Sequence, residues 1–308
     1  MTGSIHFPRT KTANFIATGG AVPARRPSQA HRFRNRFLRH RLGMFGLTIL
    51  CLLVLVAIFA PWVAGYSPTE IDFRLKDVPP GREHLFGTDR IGRDVWARVV
   101  FGTRVSLSVG AVAVGIYTTI ALILGSLAGY IGGRVENVIM RFTDVMMCFP
   151  TFLLIIAATA ILPPNILNIM LIIGIFGWPG MCRLIRGQFL TLRRRDFVVA
   201  AIAVGAPQYR IIFQQILPNA IGPVLVAATL GLGNAILTEA GLSFLGLGVQ
   251  EPTPSWGSML LTAMQLPILE DMPWRWIPPA VAISVTVLSF NFVGDALRDA
   301  LDPRTTVR

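Results

Sequence analysis

The sequence predicts an all-α polytopic membrane protein with six transmembrane helices, and three observations predict it. Hydrophobic residues make up 53% of the 308-residue chain and charged ones only 14%. The mean hydropathy is +0.60, far from the mixture of a soluble globular domain. Six apolar stretches, 43–64, 105–131, 143–162, 166–185, 219–245 and 276–297, each supply the roughly 20 residues that cross about 30 Å of hydrocarbon. Finally, the net charge of +12 comes almost wholly from arginines beside these stretches, Lys11 and Lys76 being the only lysines. A positive-inside bias explains that distribution better than nucleic-acid binding does, so no nucleic-acid partner is expected.

Residues 1–42 form a basic tail, with Arg9, Lys11, Arg25, Arg26, Arg32, Arg34, Arg36, Arg39 and Arg41 and no acid. Its early part is rich in Pro, Gly, Ser and Thr, a composition that favours disorder. Phe33, Phe37 and Leu38 among arginines predict an interfacial amphipathic helix over 31–41, lying on an anionic membrane face. The span 43–64 comes too late and runs too long for a cleaved signal peptide. Residues 65–104 read as a mixed-charge loop in which Gly87 and Gly92 make turns and Asp94 caps a helix from Val95. Arg93, Arg98 and Arg104 are expected at its outer surface. Glu83, Asp89 and Asp94 match no calcium-loop spacing.

The third and fourth spans, separated by Pro163, Pro164 and Asn165, form a tight hairpin. The N-terminal tail, the 132–142 loop, the 183–218 loop and the tail 299–308 are basic, whereas 246–275 has only Arg275 against Glu251, Glu270 and Asp271. Both termini and the 183–218 loop are therefore expected in the cytoplasm, and 65–104 on the opposite side.

The stretch 193–218 interrupts the core 105–298 with a basic, mostly helical insertion. Asp196 is a good N-cap for a helix through Val204, Gly205 allows a sharp change of direction, and Pro207 suits the first position of a second helix. Pro218 is expected to stop that helix at Leu217. Tyr209, Ile212, Phe213 and Ile216 fall on one apolar face, with Gln208, Arg210, Gln214 and Gln215 opposite. Ile211 interrupts the polar face, either as a knob for a partner's pocket or as a single exposed apolar residue.

Charges inside the spans cost about 2.5 to 3.5 kcal/mol each to insert. Glu239, four residues before Ser243 on the same helix face, either lines a path for solute or contacts a peptide amino group, or else sits at an interface or makes a structural pairing. Asp144 is expected to pair with Arg141, and Arg298 with Asp295 and Asp302. Gly125, Gly129, Gly132 and Gly133, with Gly222 and Gly231, permit close helix approach. Cys51, Cys148 and Cys182 are well separated and imply neither disulfide nor zinc.

Catalytic motifs are missing. Neither lysine follows a glycine, so there is no phosphate-binding P-loop, and His6, His31, His40 and His84 include no HExxH. Gly241-Leu-Ser243-Phe-Leu-Gly246 has the wrong spacing for a nucleophile elbow. No catalytic, cofactor-binding or metal-binding residue is assigned, and any ATP hydrolysis belongs to another polypeptide.

The 193–218 stretch resembles the EAA loop of the membrane-spanning subunits of ATP-driven, binding-protein-dependent importers, carried here by Val199, Ala200, Ala201, Gly205, Leu217 and Pro218. Val199 stands where that family has Glu. HLFGTDRIGRDVWARVVFGTRVSLSVG at 84–110 is similar to the segment that opens the core domain of the second permease subunit in dipeptide and oligopeptide importers. WPGMCRLIRGQFLTLRRRDFVVAA, TEAGLSFLGLGVQEPTPSWGSML and NFVGDALRDALDPR follow in family order, so the likeness covers about 35–304. The resemblance implies a cytoplasmic coupling helix between spans four and five, with ATPase contacts from Ala200, Ala201, Gly205, Tyr209, Arg210, Ile211, Leu217 and Pro218. It also implies docking of an extracellular binding protein near Asp89, Arg93 and Asp94. The implied partners are a homologous permease in a heterodimer and two ATPase subunits holding ATP and Mg²⁺. The implied location is the bacterial inner membrane, and the implied solute a peptide, with a nickel complex or glutathione-like compound as alternatives. A secondary transporter working alone and a membrane scaffold remain the other classes.

Overall fold

A computed structural model describes residues 29–301. The expected disorder of the early tail, the Arg298–Asp302 pairing and most of the tail 299–308 lie outside these residues.

The described chain is helical, with short 3₁₀ turns and no strand among the described residues. Helix α1 (Gln29–Arg39) takes in the expected amphipathic segment up to Arg39, two residues short of the bound expected for it, with Phe33 and Phe37 stacked 6.2 Å apart. His40 caps α2 (Arg41–Ile58), its Nδ1 accepting from the Gly43 amide at 3.0 Å. Pro61 then breaks the first span into α2 and α3 (Ala60–Ala64), because it has no N–H for the carbonyl of Ala57. The guanidinium of Arg104 supplies the missing donors, from Nε to Ala57 at 2.8 Å and from Nη2 to Ile58 at 3.1 Å. An arginine expected to face outward thus repairs a helix break.

Helix α4 (Val95–Ile131) begins ten residues before the apolar stretch that announced it, since Asp94 accepts from the Ala97 amide at 2.7 Å and starts it there. The loop therefore ends at Asp94 instead of residue 104. At 37 residues, α4 is about 55 Å long and reaches beyond the hydrocarbon.

The third span is corrected more deeply. Helix α5 (Gly133–Met147) and α6 (Thr151–Ile161) meet at 80°, so 143–162 is not one straight helix. Pro150 disfavours helical geometry at Phe149 and ends α5. Among the described residues five helices are long and apolar enough to span, or six if the bent pair counts as one. The hairpin turn stands where expected, with Asn165 capping α7 (Ile166–Leu192) through the Leu167 amide at 2.9 Å.

Helix α8 (Asp196–Ala203) follows, then α9 (Gln208–Phe244), α10 (Trp256–Thr262), α11 (Leu266–Asp271) and α12 (Ile277–Leu301). Helix α4 packs most extensively on α7 and also on α9, while α12 packs on α9 and α2. A Cβ on Gly125 would lie 2.8 Å from the carbonyl of Cys182, and one on Gly129 would lie 2.5 Å from Cβ of Phe189. Gly132 and Gly133, by contrast, take positive φ and turn the chain from α4 into α5. Substituting Gly129→Leu is expected to lower the stability of the purified protein by about 1 to 3 kcal/mol through overpacking, read as a lower unfolding midpoint. An unchanged midpoint would place the α4–α7 contact elsewhere.

Candidate functional site

The elbow between α7 and α9 is held to the membrane-spanning helices at both ends. Arg193, just past α7, donates from Nη1 to the carbonyl of Tyr130 at 2.7 Å, satisfying an acceptor in the last turn of α4. Arg195 is the N-cap of α8, and Asp196 is its first helical residue instead of its cap. The negative charge of Asp196 still suits the positive end of the helix dipole. Val204 closes α8, Gly205 follows at φ +76°, the Gly205 amide donates to Ile202, and the Ala206 amide donates to Ala201, each at 3.0 Å. This is a Schellman end, which turns the chain sharply at a residue without a Cβ.

Pro207 is the N-cap of α9, one place before the position expected for it. The helix does not stop at Leu217. A π-turn over Ile211–Ile216 carries it on, the Leu217 amide reaching back to the carbonyl of Ile212, and Pro218 sits in the helix that continues. Widening the helix by one residue immediately before Pro218 accommodates the proline's missing donor without a break.

The π-turn also changes the face. Its five-residue spacing brings Ile211 and Ile216 together on the inside, 2% and 0% exposed, while Tyr209 and Phe213 turn outward at 61% and 63%. Ile211 is therefore a core residue and not an exposed knob. Val198 is also fully buried, but Val199, Ile202 and Val204 face outward, as does Phe197. Ala200, Gly205, Arg210 and Pro218 are exposed and Ala201 and Leu217 half-buried. The elbow thus presents an apolar surface on a buried two-isoleucine root. Next to it, by the end of α4, opens a cavity of about 470 Å³ whose rim includes Ile202 and whose wall includes Tyr130, Ile131, Arg193 and Ile211.

At the opposite end of α4, the residues expected to dock a binding protein are mostly enclosed. Asp89, Arg93, Asp94 and Arg98 are 7%, 8%, 4% and 2% exposed. Asp89 accepts from the amides of Ile91 and Arg93 at 3.0 Å and from Arg93 Nε at 2.7 Å. Arg93 and Arg98 converge on the carboxylate of Glu251, Arg98 Nη2 standing 2.8 Å from Oε1. Asp94 joins the His84 ring at 2.8 Å while capping α4. These side chains form an interior network and not an outer charged surface. Buried Arg275 pairs with Asp77 at 3.1 Å. Burial pulls that guanidinium below its ordinary value, opposed by Asp77. From the sequence Glu251 and Arg275 counted only as loop charges, because the partners that pair with them lie 158 and 198 residues away. No group of three or more His, Cys, Asp or Glu side chains fit to hold a metal occurs among the described residues.

Glu239 is fully enclosed, accepting from Ser243 Oγ at 2.8 Å and from Ser106 Oγ on α4 at 3.1 Å. Ser243 Oγ in turn accepts from the Val249 amide at 3.0 Å. The carboxylate thus ties α4 to α9 and to the loop beyond it, and at 0% exposure it reaches no open space among the described residues. Ser106→Ala strips one carboxylate oxygen of its donor, with an expected loss of about 1 to 3 kcal/mol of stability, checked by thermal unfolding. Asp144 pairs with Arg183 at 2.5 Å instead of Arg141. Asp295 and Arg298 do not pair with each other, and Asp299 approaches His40 Nε2 at 3.5 Å.

The comparisons with known proteins agree with this architecture. Residues 121–307 match the family described as binding-protein-dependent transport system inner membrane component. Residues 28–80 match the N-terminal TM domain of oligopeptide transport permease C. The chain is 42% identical over 269 residues to the oligopeptide transport system permease protein OppC of Bacillus subtilis, covering 87% of this chain and 88% of that one. It is 44% identical over 268 residues to the dipeptide transport system permease protein DppC of Alkalihalophilus pseudofirmus, covering 86% and 87%. With a putative peptide permease protein of Brucella suis it shares 40% identity over 304 residues, 99% of each. The chain therefore belongs to the binding-protein-dependent transport system inner membrane components, a family of integral membrane permeases.

Proposed function

We propose that this chain is one of two membrane-spanning subunits of an ATP-driven importer that carries peptides across a bacterial inner membrane. The observation that carries the reading is the elbow, whose apolar outer surface stands on Ile211 and Ile216 and is tied by Arg193 to the end of α4. An exposed apolar surface on a rigid base is suited to a partner protein. Arginines flanking the elbow favour the cytoplasmic side for it and for both termini. The names of the relatives support a peptide as the solute.

In this reading a homologous permease completes the pathway, and an extracellular binding protein delivers the solute. Two ATPase subunits carry ATP and Mg²⁺. The ATPases meet the elbow differently in their open and closed states, and that differential contact biases the spans toward one access state. Displacing α8 carries the end of α4 through Arg193 and the root of α9 through Ile211 and Ile216.

The test is uptake by proteoliposomes containing the assembled transporter. Peptide accumulation is expected only when ATP and the binding protein are both supplied. Accumulation driven by an ion gradient without ATP would establish a secondary carrier instead.

A further inference from the structure

A second cavity, of about 430 Å³, lies between α7, α9 and α12 at the end of the spans that carries the elbow. Its volume falls within the about 300 to 1,000 Å³ of small-molecule sites. On α9 its wall is Pro223, Val226, Ala227 and Leu230, an i, i+3, i+4, i+7 stripe that runs about 10 Å along the helix axis. Leu184 of α7 faces it, and α12 contributes Leu301 and Arg298.

The groove is apolar at both ends and carries one charge, on its rim. At the deep end Leu230 packs on Gly294, where a Cβ would lie 2.8 Å from its Cγ. One helical turn along α12 stands Arg298, exposed on the rim of the groove, and beyond it Leu301 closes the other end, where a Cβ on Gly222 would lie 3.3 Å from it. No carboxylate pairs with Arg298 among the described residues. Asp295, three places earlier, is exposed and makes no ion pair with it, and Asp299 lies against His40. An exposed guanidinium next to an apolar wall at the end of the spans attracts an anionic headgroup.

We propose that this groove binds an anionic phospholipid, with an acyl chain laid along Pro223–Leu230 and the headgroup phosphate on the Arg298 guanidinium. An apolar groove about 10 Å long with a guanidinium on its rim that is unpaired among the described residues matches the amphiphile in both shape and charge. A free phosphate would leave the apolar wall uncovered, and a zwitterionic lipid would bring no net charge to Arg298. The site is separate from the elbow surface and does not depend on which solute the protein carries.

The experiment uses the whole purified transporter with two photoactivatable lipids carrying the same diazirine acyl chain, phosphatidylglycerol and phosphatidylcholine. Phosphatidylglycerol is expected to label the α9 segment around Val226–Leu230 about fivefold more than phosphatidylcholine, the worth of one interfacial arginine. Arg298→Gln should lower that labelling about fivefold and Arg298→Lys should largely preserve it. Equal labelling by the two lipids, label absent from α9, or labelling unchanged in Arg298→Gln would overturn the proposal. So would efficient crosslinking of Val226→Cys to the second permease subunit, since the groove would then be an interface between proteins. If Arg298→Gln fails to assemble, the comparison of the two lipids on the wild-type protein still decides.

Discussion

The double substitution Ile202→Asp and Val204→Asp is expected to abolish peptide uptake while leaving the chain inserted and folded. Both side chains face outward from the elbow, at 51% and 83% exposed, so neither change opens a hole in the core. Each places a carboxylate on a surface that we propose is buried against an ATPase subunit. An unpaired charge buried at an interface costs several kcal/mol, enough to lower occupancy of the assembled complex by several orders of magnitude. The measurement is peptide uptake and ATPase co-purification from the same membranes, with the amount of inserted chain as control. Full uptake with normal co-purification would remove this surface from the mechanism.

The substitution Glu251→Ala has the second large effect, and it acts on stability. Arg98 is 2% exposed and its carboxylate partner is Glu251, which Arg93 shares. Removing that partner leaves a buried guanidinium without compensation, which typically costs about 3 to 5 kcal/mol. The Glu251 side chain is itself 41% exposed, and water reaching the site offsets part of the loss. A loss of about 3 kcal/mol is therefore expected, seen as a lower midpoint of thermal unfolding in detergent. Adding Arg98→Met should recover part of it, because the orphaned charge is removed too. If the double variant is less stable than Glu251→Ala alone, the cost does not arise from the stranded guanidinium.

Local chemistry made much of the fold legible in the sequence. Hydropathy located the apolar stretches, Asp94 announced the start of α4, and Gly205 marked the turn at the elbow, because each depends on residues a few places apart. Pro218 misled for the opposite reason. A proline usually ends a helix, but here a π-turn precedes it, and the extra residue in that turn rotated Ile211 inward and Tyr209 outward. Periodicity at 3.6 residues cannot register such a change. The bend at Pro150 likewise lay within a stretch whose apolar content alone looked continuous.

The ion network at the start of α4 shows a second limit. Arg93, Arg98 and Asp89 looked like surface charge because the carboxylate that buries two of them belongs to Glu251, far along the chain. Glu239 was visible as an anomaly, and its spacing to Ser243 was correctly placed on one face. Its bond to Ser106, 133 residues away, settles its geometry and needed the fold.

The most direct measurement replaces Cys51 and Cys148 with Ser, Cys182 with Ala and Val204 with Cys, then applies a membrane-impermeant maleimide to intact cells and to inverted membrane vesicles. Val204 is 83% exposed, so the reagent reaches it wherever the elbow faces. The account predicts labelling only in inverted vesicles, and protection there when the ATPase subunits are bound. Labelling from outside intact cells, or undiminished labelling in the assembled complex, would contradict it.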